Sequence, residues 1–336
     1  MRITRDIVLK LARDSAARQL RQNKDLICIY LTGSVLLEDY LLGGATDIDL
    51  VCIHNSQPPA PREVVPLVDE VHLDIAHLSE AVFQQPRQLR TDPWLGTFMC
   101  VDPIALHDTH HWFEFTQARI CAQFDRPEYV IQRSRPMAEE ARQIWMDLNN
   151  GQYEPGSVKV MAYLKALERA GNAIATLSGP PLTERRFWLS FSKRTQAVNR
   201  QGLYGGLIDL FTTNKINPEI IQSWVSPWSK TLKSITDLSE CPPQLMDCRK
   251  TYYERAINAL VDDHPEGAIW ILLRTFTKAI NLLGEQSPFW QDWHETCLLL
   301  ELDEDHFASR LNSLDAYLDS VEETIELWSK QFGVFE

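Results

Sequence analysis

The sequence predicts an α+β fold, in which a short mixed sheet flanked by helices is followed by an all-α helical bundle. Short apolar runs that begin at residues 26, 46 and 71 have the length and composition of strands. Beyond residue 126, nearly every segment has the apolar periodicity of an amphipathic helix. A chain of 336 residues is long enough for two hydrophobic cores. We therefore predict two domains, residues 1–125 and residues 126–336.

The first domain is predicted to begin with a helix over residues 4–23, followed by a buried strand over residues 26–31. That strand ends at Thr32-Gly33-Ser34, and the apolar residues that come next predict a helix over residues 35–42. Further strands are predicted at residues 46–54 and 71–77. A helix over residues 79–89 and an apolar run at residues 98–106 complete this domain.

The second domain is predicted to be helical, with Gly and Pro between its segments. Its helices are expected at residues 135–149, 157–178, 183–198, 218–238, 243–261, 265–283, 288–300 and 305–331. In the last helix the apolar residues form one stripe, bordered by Asp315, Asp319, Glu322 and Glu326. These acids form either a wall that attracts a cationic substrate or an ordinary solvated face, and the solvated face is favoured.

Two of the predicted strands carry acidic side chains, which strands usually avoid. Asp47 and Asp49 lie in the run Thr46–His54, and Asp74 lies in the run Val71–His77. Because successive strand side chains alternate in direction, Asp47 and Asp49 project from one face, roughly 6 to 7 Å apart. Like charges at this separation resist joint ionisation unless a cation lies between them. Oxygen ligands of this kind suit Mg²⁺, so the pattern predicts a magnesium and phosphate site.

The junction after the first strand is a second candidate part of that site. Gly33 allows backbone to approach a ligand closely, and Ser34 is suited to cap the predicted helix and direct backbone N–H groups at an anion. A Gly-Ser pair alone is more typical of a plain turn and helix cap. The whole order of strand, Gly-Ser, helix, Asp-x-Asp strand and further Asp-bearing strand is difficult to explain by packing requirements.

Taken together, these residues resemble the nucleotidyltransferase superfamily typified by DNA polymerase β, and within it the aminoglycoside and other small-molecule nucleotidyltransferases. The resemblance covers roughly the first 110 residues. It implies an N-terminal nucleotidyltransferase catalytic domain and a helical substrate-binding domain, with substrate held between them. By position, Asp47 and Asp49 would hold two Mg²⁺ ions and the nucleoside triphosphate, and Asp74 would bind the catalytic metal. Gly33 and Ser34 would contact the β- and γ-phosphates.

The resemblance also implies a reaction and its partners. A nucleoside monophosphate would move from an NTP to a hydroxyl of a small molecule resembling an aminoglycoside, with release of pyrophosphate. One alternative is a toxin-type nucleotidyltransferase that modifies tRNA or a protein side chain. Another is a nucleotide-binding module without catalysis, or an interaction scaffold. The twelve residues between Ser34 and Asp47 form a longer link than in minimal relatives, which bears on substrate shape.

Lys165 and His72 are weaker candidates for the same site. Lys165 lies on the second helix after the catalytic domain, where related enzymes often place a basic residue against the triphosphate, so it is a candidate nucleotide contact. A solvent-facing lysine is the favoured alternative. His72 faces the same side of its strand as Asp74, either to tune the metal site or as a hydrogen-bonded sheet histidine.

Charge and composition narrow the partners and the compartment. The net charge of −13 argues against a nucleic-acid acceptor, although it does not exclude one. No apolar run has the roughly 20 residues of a membrane span, and the first residues lack the apolar core of a secretion signal. We therefore expect a cytoplasmic protein with no membrane partner. The seven cysteines are scattered, and we expect them to be reduced, with no disulfide and no zinc site.

Overall fold

A computed structural model describes residues 3–58, 60–236 and 241–334 of the chain. It confirms an α+β architecture, with a five-stranded mixed sheet in the N-terminal part and mostly helices after it. The strands are β1 (Leu26–Thr32), β2 (Thr46–His54), β3 (Arg62–Val68), β4 (Val71–Ser79) and β5 (Ile104–Asp108). Three of them were predicted as strands. β3 was missed because it contains Pro66, which a sheet tolerates at its edge.

The strand order β3-β4-β2-β1-β5 places β2 at the centre of the sheet. β2 pairs with β4 in parallel, and the other three pairings are antiparallel. In the β2–β4 register, Asp49 lies opposite Asp74, and Asp47 lies opposite His72. The register therefore brings the acidic residues of two separate sequence runs to the same end of the sheet.

Helices cover both faces of the sheet. On one face, the apolar stripe of α1 (Arg5–Gln22) packs on β1, β2 and β4 through Val8, Ala12 and Ala16. Tyr30 and Val51 belong to the core on the other face, together with α2 (Pro86–Thr91), α3 (Leu95–Cys100) and α4 (Trp112–Cys121). Because strand side chains alternate in direction, Asp47 and Asp49 share the face of Val51.

Two predicted helices of this region differ from the structure. The helix expected over residues 35–42 is a single 3₁₀ turn, Ser34–Leu36, after which Leu37 is already extended. Eight residues make a marginal helix, and Gly43 and Gly44, both with positive φ, turn the chain back towards β2. The helix expected over residues 79–89 is divided into a 3₁₀ turn and α2, because α2 begins at Pro86. The apolar run at residues 98–106 ends α3 and begins β5.

The chain forms two compact units. The first consists of Met1–Arg126 and Pro242–Arg255, and the second consists of Pro127–Cys241 and Ala256–Glu336. The segment Pro242–Arg255, which lies within the predicted range 126–336, belongs to the first unit. This segment contains the start of α10 (Asp247–Leu260) and brings Arg249 into the unit that holds the sheet.

The described residues of the second unit form helices joined by turns and loops, with no strand among them. Its core contains stacked and edge-packed aromatic rings, among them Trp188 with Phe211 and Phe187 with Trp270, whose centroids are 5.0 Å and 5.6 Å apart. Of the predicted helix 218–238, residues 237 and 238 lie outside the described part of the chain. The helices are α5 (Pro127–Asn149), α6 (Ser157–Thr176), α7 (Phe187–Ala197), α8 (Gly202–Asp209), α9 (Pro218–Ile235), α11 (Pro265–Leu283), α12 (Trp290–Leu299) and α13 (Glu304–Gln331).

The acids that border the apolar stripe of α13 have a partner within their own unit. Arg142 of α5 forms an ion pair with Asp315, and it donates hydrogen bonds to Asp319 at 2.6 Å and Glu322 at 2.8 Å. These partly exposed acids are therefore engaged in packing α13 against α5. Three of the four acids proposed to attract a cationic substrate are therefore already paired with Arg142.

The expectation that every cysteine is reduced was wrong. Cys100, at the end of α3, forms a disulfide with Cys121, at the end of α4, and their Cα atoms are 5.4 Å apart. The two residues are 21 positions apart in the sequence, and only the packing of α3 beside α4 brings them together. The described structure gives no disulfide to Cys28, Cys52, Cys241, Cys248 or Cys297.

None of the described helices combines the length and the apolar composition that crossing a bilayer requires.

Candidate metal centre

Asp47, Asp49 and Asp74 converge at one end of the sheet. Asp47 and Asp49 extend from the first residues of β2, and Asp74 extends from the adjacent β4. One carboxylate oxygen from each residue lies within 4.8 Å of the others. Asp47 and Asp74 are buried, and Asp49 is partly exposed. Among the described residues, these three form the one group of acidic, histidine or cysteine side chains with a geometry that could hold a metal ion.

The Gly33-Ser34 junction lies directly against Asp49. Gly33 has φ of +82°, and a Cβ atom at this position would overlap the Asp49 carboxylate. The backbone N–H of Ser34 donates a hydrogen bond to Asp49, and the Ser34 hydroxyl lies 3.5 Å from Oδ1 of Asp47. The glycine is therefore required because a carboxylate fills the space that a side chain would occupy.

Ser34 does not cap a helix as predicted. Gly33 precedes the three-residue 3₁₀ turn, and no side chain caps that turn. A turn this short has no appreciable helix dipole with which to attract a phosphate. The predicted contacts of Gly33 and Ser34 with the nucleotide phosphates therefore stay predictions, and no α-helix follows these residues to support them.

Two arginines that were not among the predicted site residues bind the third aspartate. Arg62 of β3 donates from Nε to Oδ1 of Asp74 at 2.6 Å and from Nη2 to Oδ2 at 2.5 Å. Arg249 of α10 donates from Nη2 to the same Oδ2. Asp74 and Arg249 are each only 6% exposed, whereas Arg62 is 38% exposed. Both oxygens of Asp74 are therefore occupied by guanidinium groups.

The pKa values of these groups follow from burial and charge. Burial, together with the neighbouring Asp47, raises the pKa of Asp49 well above its usual range, while Arg249 and Arg62 act in the opposite direction. Burial and the nearby Arg249 lower the pKa of Arg62. The pKa of Arg249 is raised, because Tyr253 and Asp47 outweigh the opposing effect of burial. Burial is thus the main reason that the ionised form of Asp49 is disfavoured, and the adjacent Asp47 adds to it.

The donor set fits a hard divalent cation such as Mg²⁺. Three carboxylates supply only oxygen ligands, and their mutual repulsion favours a cation among them. Asp74 gives both of its oxygens to arginines. Asp74 would therefore join Asp47 and Asp49 in holding an ion once an arginine moves away.

Lys165 lies in the helical unit, on α6, and is 51% exposed. Its ammonium group forms an ion pair with Glu140 at 2.7 Å. This is the solvent-facing placement that the sequence analysis favoured, and a role for Lys165 in nucleotide binding stays a prediction. His72 of β4 is buried, and its ring lies edge-on to Tyr252, with centroids 4.8 Å apart.

The arginines were missed for two physical reasons. Arg62 belongs to β3, whose proline and exposed charges hide the strand pattern. Arg249 is 175 residues from Asp74 in the sequence, so no local spacing connects the two. One sequence feature indicates Arg62: it is the cation between the proline-rich stretch of residues 55–61 and an alternating Val-x-Pro-x-Val segment that leads to Asp74.

Comparison with known proteins returned no matching family model and no significant match to a curated protein.

Proposed function

We propose that this protein is a magnesium-dependent nucleotidyltransferase, which transfers a nucleoside monophosphate from an NTP to a hydroxyl of a small, aminoglycoside-like molecule. The observation that carries the proposal is the convergence of Asp47, Asp49 and Asp74 from two paired strands. Packing alone does not favour three carboxylates in such proximity, and a cation-dependent phosphate chemistry gives them a purpose.

In this reaction the acceptor oxygen would form a bond to the α-phosphorus, and the bond from that phosphorus to the bridging oxygen would break, releasing pyrophosphate. Two bound divalent ions would stabilise the attacking and the leaving oxygens of this in-line displacement. Asp47 and Asp49 would hold the ions from β2, and Asp74 would complete the ligand set from β4. The N–H of Ser34 holds Asp49 in place, and Gly33 leaves room for its carboxylate.

The choice of a small acceptor rests on the resemblance to small-molecule nucleotidyltransferases and on charge. A chain with a net charge of −13 is poorly suited to bind RNA or DNA, because it carries few cations in excess to neutralise phosphates. An aminoglycoside, which is a polycation, is attracted by the same net charge.

Transfer of label from an NTP tests the proposal. The full chain is incubated with Mg²⁺ and each α-³²P-labelled NTP, against pooled aminoglycosides, total tRNA and cell lysate in separate reactions. We expect label in the aminoglycoside pool. Label in tRNA or in lysate protein would support the toxin-type alternative, and NTP binding without transfer to any fraction would support a nucleotide-binding module.

Asp49→Asn should lower that transfer about a thousandfold, because a metal ligand contributes several kcal/mol of charge stabilisation to the transition state. The matched control is Asp69→Asn, which removes an exposed acid from the turn between β3 and β4. Both variants should keep the melting temperature of the wild type within a few degrees. Undiminished labelling by Asp49→Asn would reject the assignment.

A further inference from the structure

The two arginines on Asp74 do more than balance its charge. A single guanidinium group makes a complete bidentate pair with a carboxylate, and Arg62 already does so. Arg249 adds a second guanidinium to an oxygen that Arg62 occupies. Asp74 therefore has more cationic partners than one buried carboxylate requires.

Arg249 also retains a donor that none of the described residues accepts. Its side chain is 6% exposed, and its Nε–H has no hydrogen-bond partner in the described part of the chain. The guanidinium lies 5.8 Å from the centroid of the Tyr252 ring and is hydrogen-bonded to the Tyr253 side chain. A buried charged donor without an acceptor is costly, so its retention indicates an anionic ligand that completes it.

The segment that follows the predicted phosphate-contacting residues Gly33 and Ser34 contains no cation. From Val35 to Leu42 there is no Lys or Arg, and Glu38 and Asp39 are acidic. The helix dipole that was expected there is missing as well, because the 3₁₀ turn ends at Leu36. In contrast, Arg249 and Arg62 are the cations whose charges act on Asp49, at the centre of the carboxylate cluster.

The summed charges of the cluster indicate the sign of the charge that a ligand would carry. Asp47, Asp49 and Asp74 carry three negative charges when ionised, and the two arginines carry two positive charges, so the cluster has a net charge of −1. Binding of two divalent cations would change this sum to +3. A polyphosphate would then compensate the excess positive charge, and its oxygens match the donor geometry of guanidinium groups.

We propose that Arg62 and Arg249 are the polyphosphate-binding residues of the site, and that they exchange Asp74 for phosphate oxygens when divalent cations bind. This inference rests on the proposed function and adds to it the residues that hold the triphosphate and the pyrophosphate. In the absence of cations, the same residues keep Asp74 compensated. The arginines are thus positioning residues for the transferred nucleotide and competitors of the metal.

The exchange predicts opposite changes in two binding equilibria. Removing an arginine frees Asp74 from a competing cation, so a divalent ion alone should bind more tightly. The same change removes a charge-assisted contact, so magnesium pyrophosphate should bind more weakly. Removing a residue that only stabilised the fold would weaken binding of both the divalent ion and magnesium pyrophosphate. Opposite changes in the two affinities therefore distinguish a ligand-binding arginine from a purely structural one.

The experiment uses the full chain as wild type, Arg62→Gln and Arg249→Gln. Binding of Mn²⁺ alone is followed by the loss of the free-ion signal in electron paramagnetic resonance, and binding of magnesium pyrophosphate is followed by calorimetry. We expect the affinity for Mn²⁺ to rise about tenfold in each variant and the affinity for magnesium pyrophosphate to fall about ten- to a hundredfold. Arg255→Gln is the matched control on the same helix, because Arg255 pairs with Glu70 at 2.9 Å, and it should change neither affinity.

Arg62 is the safer variant, because it lies on the edge strand and is partly exposed. Should Arg249→Gln melt well below the wild type, Arg62→Gln and Arg249→Lys still decide the question, since lysine keeps the charge but loses the fork. Equal affinities in wild type and variants, or a weaker affinity for both ligands, would overturn the assignment of the arginines. A wild type that binds neither Mn²⁺ nor magnesium pyrophosphate would instead overturn the proposed function.

Discussion

The strands β2 and β4 carry a buried polar cluster at each end, and the two clusters differ in how their charges are satisfied. At the first residues of the strands, Asp47, Asp49 and Asp74 converge on one face of the sheet. At the last residues, His54 and His77 meet on the opposite face, where their ring nitrogens are 2.9 Å apart. The same two strands therefore hold an acidic group and a histidine pair, both largely removed from water.

The histidine pair is completed by the protein itself. Nδ1 of His54 lies 3.8 Å from Asp25, and Nε2 of His77 lies 3.6 Å from Glu63. Glu63 in turn accepts a hydrogen bond from Gln19, and Asp25 accepts two from Ser56. Each ring nitrogen thus faces a partner, and the network needs no external ligand.

The aspartate cluster is not completed in this way. Its three carboxylates outnumber the two arginines that approach them, and the pKa of Asp49 is raised as a result of burial and of Asp47. A buried polar group is therefore insufficient to identify a binding site. What distinguishes the aspartate end is the excess of three carboxylates over two guanidinium groups, and a cation would offset the remaining negative charge.

Among substitutions at the two clusters, Gly33→Ala is expected to have the largest effect on stability and activity, because a Cβ atom there would displace the Asp49 carboxylate. We expect a loss of about 2 to 4 kcal/mol in the free energy of unfolding and about a hundredfold in nucleotidyl transfer. Chemical denaturation and the labelling assay measure the two effects. Gly151→Ala is the control: Gly151 also has a positive φ, but its added Cβ would meet no atom within 4 Å.

The control should lose only about 1 kcal/mol, from backbone strain alone, and should keep full activity. If the two alanine variants lost the same stability, then the contact between Gly33 and Asp49 would have no energetic weight beyond the backbone conformation.

Single substitutions in the histidine pair and in the aspartate cluster are expected to change the free energy of unfolding by smaller amounts and in different directions. His77→Ala leaves a buried nitrogen of His54 without its partner and should lower the free energy of unfolding by about 2 kcal/mol. Asp49→Asn removes one of three like charges and should leave the unfolding free energy in EDTA equal to the wild type or higher. Urea denaturation in EDTA at neutral pH compares them. A marked loss of stability in Asp49→Asn would mean that the aspartate end is a structural network after all.

The smallest expected effect is the pH dependence of the free energy of unfolding that the histidine pair causes. Burial and the adjacent His77 hold the pKa of His54 below its ordinary value of 6.5, so as the pH falls the unfolded chain takes up this proton before the folded protein does. The free energy of unfolding should therefore fall as the pH drops below about 6.5, by at most about 1.4 kcal/mol per pH unit for this one proton.

His54→Gln should flatten that part of the stability curve, whereas His110→Asn, at an exposed position, should leave its slope unchanged. Equal slopes between pH 7 and pH 5 in the wild type and in His54→Gln would show that the histidine pair does not respond to acid in this way. The measurement is urea denaturation at several pH values.

Local patterns were sufficient for much of the fold. The predicted helices over residues 4–23, 265–283 and 305–331 match α1, α11 and α13 closely, because each has a long apolar stripe with clear start or stop residues. Strand alternation was also enough to place Asp47 and Asp49 on one face of β2. The order of the runs suggested that Asp74 would join them, and the parallel register of β2 with β4 aligns Asp74 with Asp49.

Short segments and distant pairs were beyond the reach of such patterns. The run at residues 35–42 has apolar residues in plenty, yet whether eight residues form a helix depends on what they pack against, and here they form one turn. The disulfide between Cys100 and Cys121 exists because two short helices lie side by side.

The shared direction of Asp47 and Asp49 could be predicted from their spacing, because the direction of a strand side chain follows from backbone geometry one residue at a time. The cations that approach the acids could not be predicted, because the fold brings them there. Arg62 comes from an edge strand without a clear pattern, and Arg249 comes from a helix 175 residues beyond Asp74. The physical reason is that an ion pair depends on distance in space, and folding sets that distance independently of separation along the chain.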